Sequence, residues 1–175
     1  MLGARYMRNL ALALAVTAIG LLGGCAFSSV DRPNVDKYQP LLSTAETFQV
    51  PENIALEKSQ LALKALGYQL EPVVPELALV RTRPRNVITP AVCDCGEWNG
   101  RQVSGYASSS VELRLDRQGA DAVRIGLRHS CVVNFTGRNL FHIPTHRETY
   151  ECASRGRVEN EVWDALRRVF RAQNQ

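Results

Sequence analysis

Histidine is scarce in this chain, at three in 175 residues, and so are the motifs that announce an enzyme. No G-x-G-x-x-G turn and no P-loop occurs, which removes two common cradles for nucleotide phosphates. Ser108-Ser109-Ser110 lacks a G-x-S-x-G frame, and no S-x-x-K occurs, so neither hydrolase signature is present. No C-x-x-C pair occurs, which argues against dithiol redox chemistry and against the usual zinc-ligand spacing. No catalytic residue, cofactor or metal site is therefore expected. Internal repeats and low-complexity tracts are also missing. The formal charge is only +4, too weak to point to nucleic acid.

Long apolar runs are nearly absent too, with one exception at the N-terminus. Arg5 and Arg8 stand in a stretch without acids, and Leu10 to Leu22 follows with no charge. That run is shorter than the roughly 20 residues a membrane-spanning helix needs. A basic start, an apolar middle and a small-residue end describe a secretory signal peptide. The end, Leu22-Gly23-Gly24-Cys25, resembles the lipobox of bacterial lipoproteins. The resemblance implies cleavage after residue 24, acylation of Cys25 and, with Ala26 rather than Asp next, residence in the outer membrane. The domain would face the periplasm or the cell surface. Several acyl chains on one cysteine anchor durably, where a single chain binds only marginally.

Without residues 1–24 the formal charge falls to +2, and the bases comprise 16 Arg and 3 Lys. The remaining length suits one domain with a real core. Residues 25–47 read as the lipidated cysteine and a flexible tether, interrupted by Pro33 and Pro40. Residues 48–175 read as a single globular domain. Four cysteines remain, Cys93, Cys95, Cys131 and Cys152, an even number in an exported chain. Two disulfides are expected, with three connectivities open. A bridge between residues two apart would be strained, so Cys93 and Cys95 each look to Cys131 or Cys152.

Phe48 to Val50 forms a short strand or an entry segment. Pro51 and Glu52 suit the first turn of a helix over 52–66. Ile54, Leu61, Ala62, Ala65 and Leu66 make its apolar face, and Gly67 stops it. Leu77–Arg83 is a strand, with Val87–Thr89 continuing it before the turn CDCGEWNG. Val111, Leu113 and Leu115 then alternate with polar residues, as do Val123, Ile125 and Leu127: a hairpin. A loop of Arg117, Gln118 and Gly119 would set Glu112 opposite Arg124 and Leu113 opposite Val123. A slip of one residue on each strand would oppose Arg114 to Arg124, an unfavourable like-charge pair.

Residues 133–147 read as an irregular, protruding loop, and Thr149–Cys152 as a last strand. His129, His142 and His146 read as exposed loop residues, since Pro144 argues against a helix joining the last two. A final helix over 157–172 buries Val158, Val162, Ala165, Leu166, Val169 and Phe170, with Trp163 at the border. Trp98 in the cysteine turn and Phe141 in the loop are candidate partner contacts.

The expected architecture is α+β: an antiparallel sheet of four to five strands with an N-terminal and a C-terminal helix on one face. Phe48-Gln49-Val50 before a helix, Leu66-Gly67-Tyr68 after it and a terminal amphipathic helix loosely resemble the domains of BamC-type envelope lipoproteins. The four cysteines depart from that pattern, and no binding residue is carried over. The expectation is a membrane-anchored, non-enzymatic interaction domain or accessory subunit with an envelope protein partner. The alternative is a tethered ligand-binding protein or hydrolase that uses the 133–147 loop and the cysteine turn.

Overall fold

The computed structural model describes residues 31–33, 44–138 and 144–172. Cys25, Phe141 and His142, together with residues 1–24, lie outside the described residues. The chain order is β1 (Ala45–Phe48), α1 (Glu52–Ala65), a 3-10 turn (Pro75–Leu77), β2 (Leu79–Arg81), β3 (Arg85–Ile88) and β4 (Cys93–Asp94). Then follow β5 (Glu97–Trp98), β6 (Arg101–Gln102), β7 (Tyr106–Arg117), β8 (Val123–Arg138), β9 (Pro144–Glu151), β10 (Ala153–Ser154) and α2 (Arg157–Arg171). No helix among the described residues is long and apolar enough to cross a membrane.

The architecture is α+β, with one antiparallel six-stranded sheet. The spine is the long β7–β8 hairpin. One half of it is flanked by β1 and β2, the other half by β9 and β3. The sheet has six strands because Leu79–Arg81 and Arg85–Ile88, expected as one continued strand, pair separately with β7, while residues 133–138 and 144–147, expected as a loop, lengthen β8 and β9 as paired strands. Val133, Phe135 and Gly137 keep the inward alternation that Val123 begins. The strand signal was thus present, and Gly137, Asn139 and Pro144 obscured it.

The β7–β8 register also differs from the expected one. Asp116 opposes Arg124, Leu113 opposes Leu127 and Glu112 opposes Arg128. Residues 118–122 form the turn, closed by the Gln118 N–H donating to the Ala122 carbonyl at 2.9 Å. This register sets two acids opposite arginines, where the three-residue loop set one, and the carboxylates themselves reach Arg81 from Glu112 and Arg114 from Asp116. Slips of this kind keep every side chain on its own face, so hydrophobic alternation could not distinguish them.

Both helices cover one sheet face. Gly67 adopts φ +77 and ends α1. There the Gly67 and Tyr68 N–H groups donate to Lys64 and Leu63 in a Schellman motif. Its buried face is Ala55, Ser59, Ala62 and Leu63, whereas Leu61, expected inside, is 49% exposed. Small residues on the inner face let the helix approach a core that already holds Trp163. In α2 the inward residues are those anticipated, except that Glu159 is also buried, Trp163 lies wholly inside and Val169 is only partly buried. On its outer side Arg167 reaches Asp164 at 3.1 Å and also pairs with Glu46 on β1.

Candidate functional site

The inner face of the sheet carries two cores in series. Leu113, Leu115, Val123, Ile125 and Leu127 belong to the core beneath the helices. Ala107, Cys131, Val133 and Tyr150 belong to a second core, completed by Cys93, Cys95, Val103 and Cys152. Two disulfides run through it, Cys93–Cys131 and Cys95–Cys152. Residues two apart on an extended chain point the same way, so C-x-C presents both sulfurs to one side. Their partners sit side by side, because Val132 pairs with Glu151 and the Cys152 N–H donates to the Cys131 carbonyl at 2.7 Å. The Tyr150 hydroxyl donates to the Cys95 carbonyl at 2.6 Å. Burial raises the Tyr150 pKa and keeps the hydroxyl a donor. Closing loops of 38 and 57 residues contributes about 4 kcal/mol each on the chain-entropy model.

Between the cores lies a buried polar layer. Ser109 and His129 occupy inward positions of β7 and β8 where the pattern would otherwise place apolar side chains. The Ser109 hydroxyl is 2.9 Å from His129 Nε2, and His129 Nδ1 is 2.9 Å from Ser154 Oγ. The Ser154 hydroxyl donates to Glu159 Oε2 at 2.8 Å and accepts the Gly156 N–H at 3.3 Å. With Ser154 donating to the carboxylate, the network assigns the proton on His129 to Nδ1, and Nε2 accepts from Ser109. Burial pushes the Glu159 carboxyl up, but hydrogen bonds from His129 and Ser154 outweigh it and hold the pKa below the ordinary value. Glu159 also stands in the first turn of α2, where the helix dipole favours a negative charge.

His129 was expected exposed in a loop. It lies instead in a strand with its side chain at 0% exposure, and the Ser109 side of the relay is equally closed, at 0%. Serine, histidine and glutamate thus meet in the order of a charge relay, sealed from solvent. No local motif marked this cluster, because its members are 20 to 50 residues apart. The one available sign was the pair of polar residues on otherwise apolar inward positions.

Trp98 lies on the β5–β6 hairpin, whose Asn99 (φ 51) and Gly100 (φ 71) form a two-residue turn. Asn-Gly is the strongest short hairpin signal, and the reading of CDCGEWNG as a plain turn passed over it. The Trp98 ring is half-buried, 5.2 Å from Phe135 and stacked on His146 at 5.3 Å. It rests on Gly137, where a Cβ would come within 2.6 Å of Trp98 Cζ2. His146 in turn lies 3.2 Å from the Glu148 carboxylate.

The tether expected over 25–47 is docked at two places. From Ala45 it is strand β1, and at Asp31 it pairs with Glu97. The Asp31 N–H donates to the Glu97 carbonyl at 2.9 Å, and the Glu97 N–H donates to the Asp31 carbonyl at 2.8 Å. Arg32 forms an ion pair with Glu148 and lies over the Tyr150 ring, 5.5 Å from its centre. Gly96 (φ +81) makes room, since a Cβ there would stand 2.0 Å from the Asp31 carbonyl oxygen.

The opposite sheet face is open and polar. Arg81 pairs with Glu112 at 2.7 Å. These two, with Glu71, Arg128, Ser110 and Ser130, line a shallow groove of about 200 Å³.

No protein-family model matches this chain, and no curated protein matches it in sequence.

Proposed function

We propose that this protein is an outer-membrane lipoprotein, anchored through Cys25, whose domain is a non-enzymatic interaction module of an envelope complex. One observation carries the reading. The best-organised chemical cluster among the described residues, Ser109–His129–Glu159, is enclosed between two cores, while the opposite sheet face is open and lined by paired charges and hydroxyls. A buried, fully bonded relay holds the two cores in register. An open polar face suits recognition of a protein partner. The part of Trp98 left exposed lies on the other side of the sheet and would add a second contact.

Two arms test this. Cys25→Ala should release the protein from the outer-membrane fraction; retention of the variant there would overturn the anchor. Arg128→Glu, in a protein that still folds by circular dichroism, should lower co-purification of partners from detergent-solubilised membranes. A wild-type protein that is always a solitary monomer would overturn the interaction role.

A further inference from the structure

We propose that the cystine end of the domain, not the helical end, lies against the membrane, with Ile88, Tyr106 and Arg101 facing the lipid headgroups. The inference rests on the reading of Cys25 as the lipidated residue. Its geometry comes from the clamp at Asp31. Asp31 is six residues beyond Cys25, and a fully extended chain spans at most about 3.5 Å per residue, or about 20 Å here. A domain of this size has a radius of gyration of about 14 Å, hence a diameter well beyond that reach. A leash so short dictates which end stays near the bilayer.

Without the clamp the leash would impose no such orientation. The chain enters the sheet at β1, which pairs with Val123–Gly126 beside the 118–122 turn. A leash from Cys25 to Ala45 would span about 70 Å at full extension and would fasten to the helical end. The two ends are far apart: β7 runs 12 residues from Tyr106 to Arg117, about 36 Å at the usual strand rise.

The surface at the clamped end suits a headgroup region. From Asp31 a short series of backbone bonds leads through Glu97, Gly96 to Val103, and Thr89 to Gly105. These bonds end beside the cross-strand pair Ile88 and Tyr106. Ile88 is 61% and Tyr106 72% exposed, the latter the most exposed large apolar-bodied side chain described. A tyrosine with one apolar and one polar end is at home at a membrane interface. Arg101, exposed on the β5–β6 hairpin, forms no ion pair among the described residues, and a cation there is drawn to anionic lipid. The occupant is thus the lipid surface that holds the protein's own anchor.

Photo-crosslinking tests the orientation. The lipidated full-length protein is reconstituted in phosphatidylethanolamine–phosphatidylglycerol vesicles with p-benzoylphenylalanine in place of Tyr106 or, at the far turn, of Asp121. Lipid adducts should form several-fold more at position 106. Asp31→Pro removes the N–H that pairs with Glu97, lengthens the leash and should erase that preference while leaving the protein on the vesicles. Equal labelling at both positions, or a preference for 121, in a protein that floats with the vesicles would overturn the orientation and leave the anchor standing. A wild-type chain that carries no lipid on Cys25 would overturn both.

Discussion

His129 Nδ1 lies 3.5 Å from Glu159 Oε1, with both side chains essentially out of solvent. One member is on β8 and the other in the first turn of α2, so this contact joins the helical core to the cystine core. The acid is ionised and the hydrogen bonds of His129 and Ser154 stabilise that form. Its folded pKa is therefore below its unfolded value, which is about 4.3. The unfolded chain binds the proton first, so the stability from this group is full above the unfolded pKa and is lost as pH falls through the folded one. Glu159→Gln should remove that part of the acid sensitivity and cost about 1.5–3 kcal/mol at neutral pH. Urea midpoints measured from pH 7 down to pH 3 check it; parallel curves for the two proteins would refute it.

Ser109 has the partner of a nucleophile without the access of one. A fluorophosphonate reagent should leave it unlabelled in the folded protein. Mass spectrometry that finds a Ser109 adduct would point instead to a hydrolase. Ser109→Ala should act on stability alone, costing about 1–3 kcal/mol by stranding His129 Nε2 as a buried acceptor.

The two disulfides close long loops around a small second core. Replacing Cys95 and Cys152 together with alanine should lower stability by about 2–5 kcal/mol. The loss should be read as a lower urea midpoint, with Trp98 fluorescence moving before that of Trp163. Simultaneous change of both signals would show that the two cores unfold as one.

Ser59 is fully buried in α1, and its hydroxyl finds no partner among the described residues. Ser59→Ala removes an unmet desolvation cost and improves helix propensity. The thermal midpoint should rise, by an amount equivalent to about 1 kcal/mol. A fall would mean that the hydroxyl is satisfied.

The register of β7 and β8 marks the boundary of what sequence pattern can decide. Alternation specified which side chains of Val111–Leu115 and Val123–Leu127 face inward, because a one-residue slip would expose them all. It left the loop length open, because even slips preserve the faces, and charge pairs choose among those only once both strands are complete. The same limit applies to 133–147. Turn-forming residues there outweighed an alternation that the partner strand β9 makes meaningful.

The chain by itself determined the elements whose evidence is local. Gly67 ends one helix, the face of Val158–Phe170 builds the other, and an even count of four cysteines points to two bridges. These follow from backbone conformation, helical period and redox chemistry. Tertiary structure alone decided which cysteines pair, since that depends on Cys131 and Cys152 standing side by side on neighbouring strands. It alone brought Ser109, His129, Ser154 and Glu159 into one layer, and fastened Asp31 to Glu97. Each of these joins residues distant along the chain, and only the assembled fold makes their separation small.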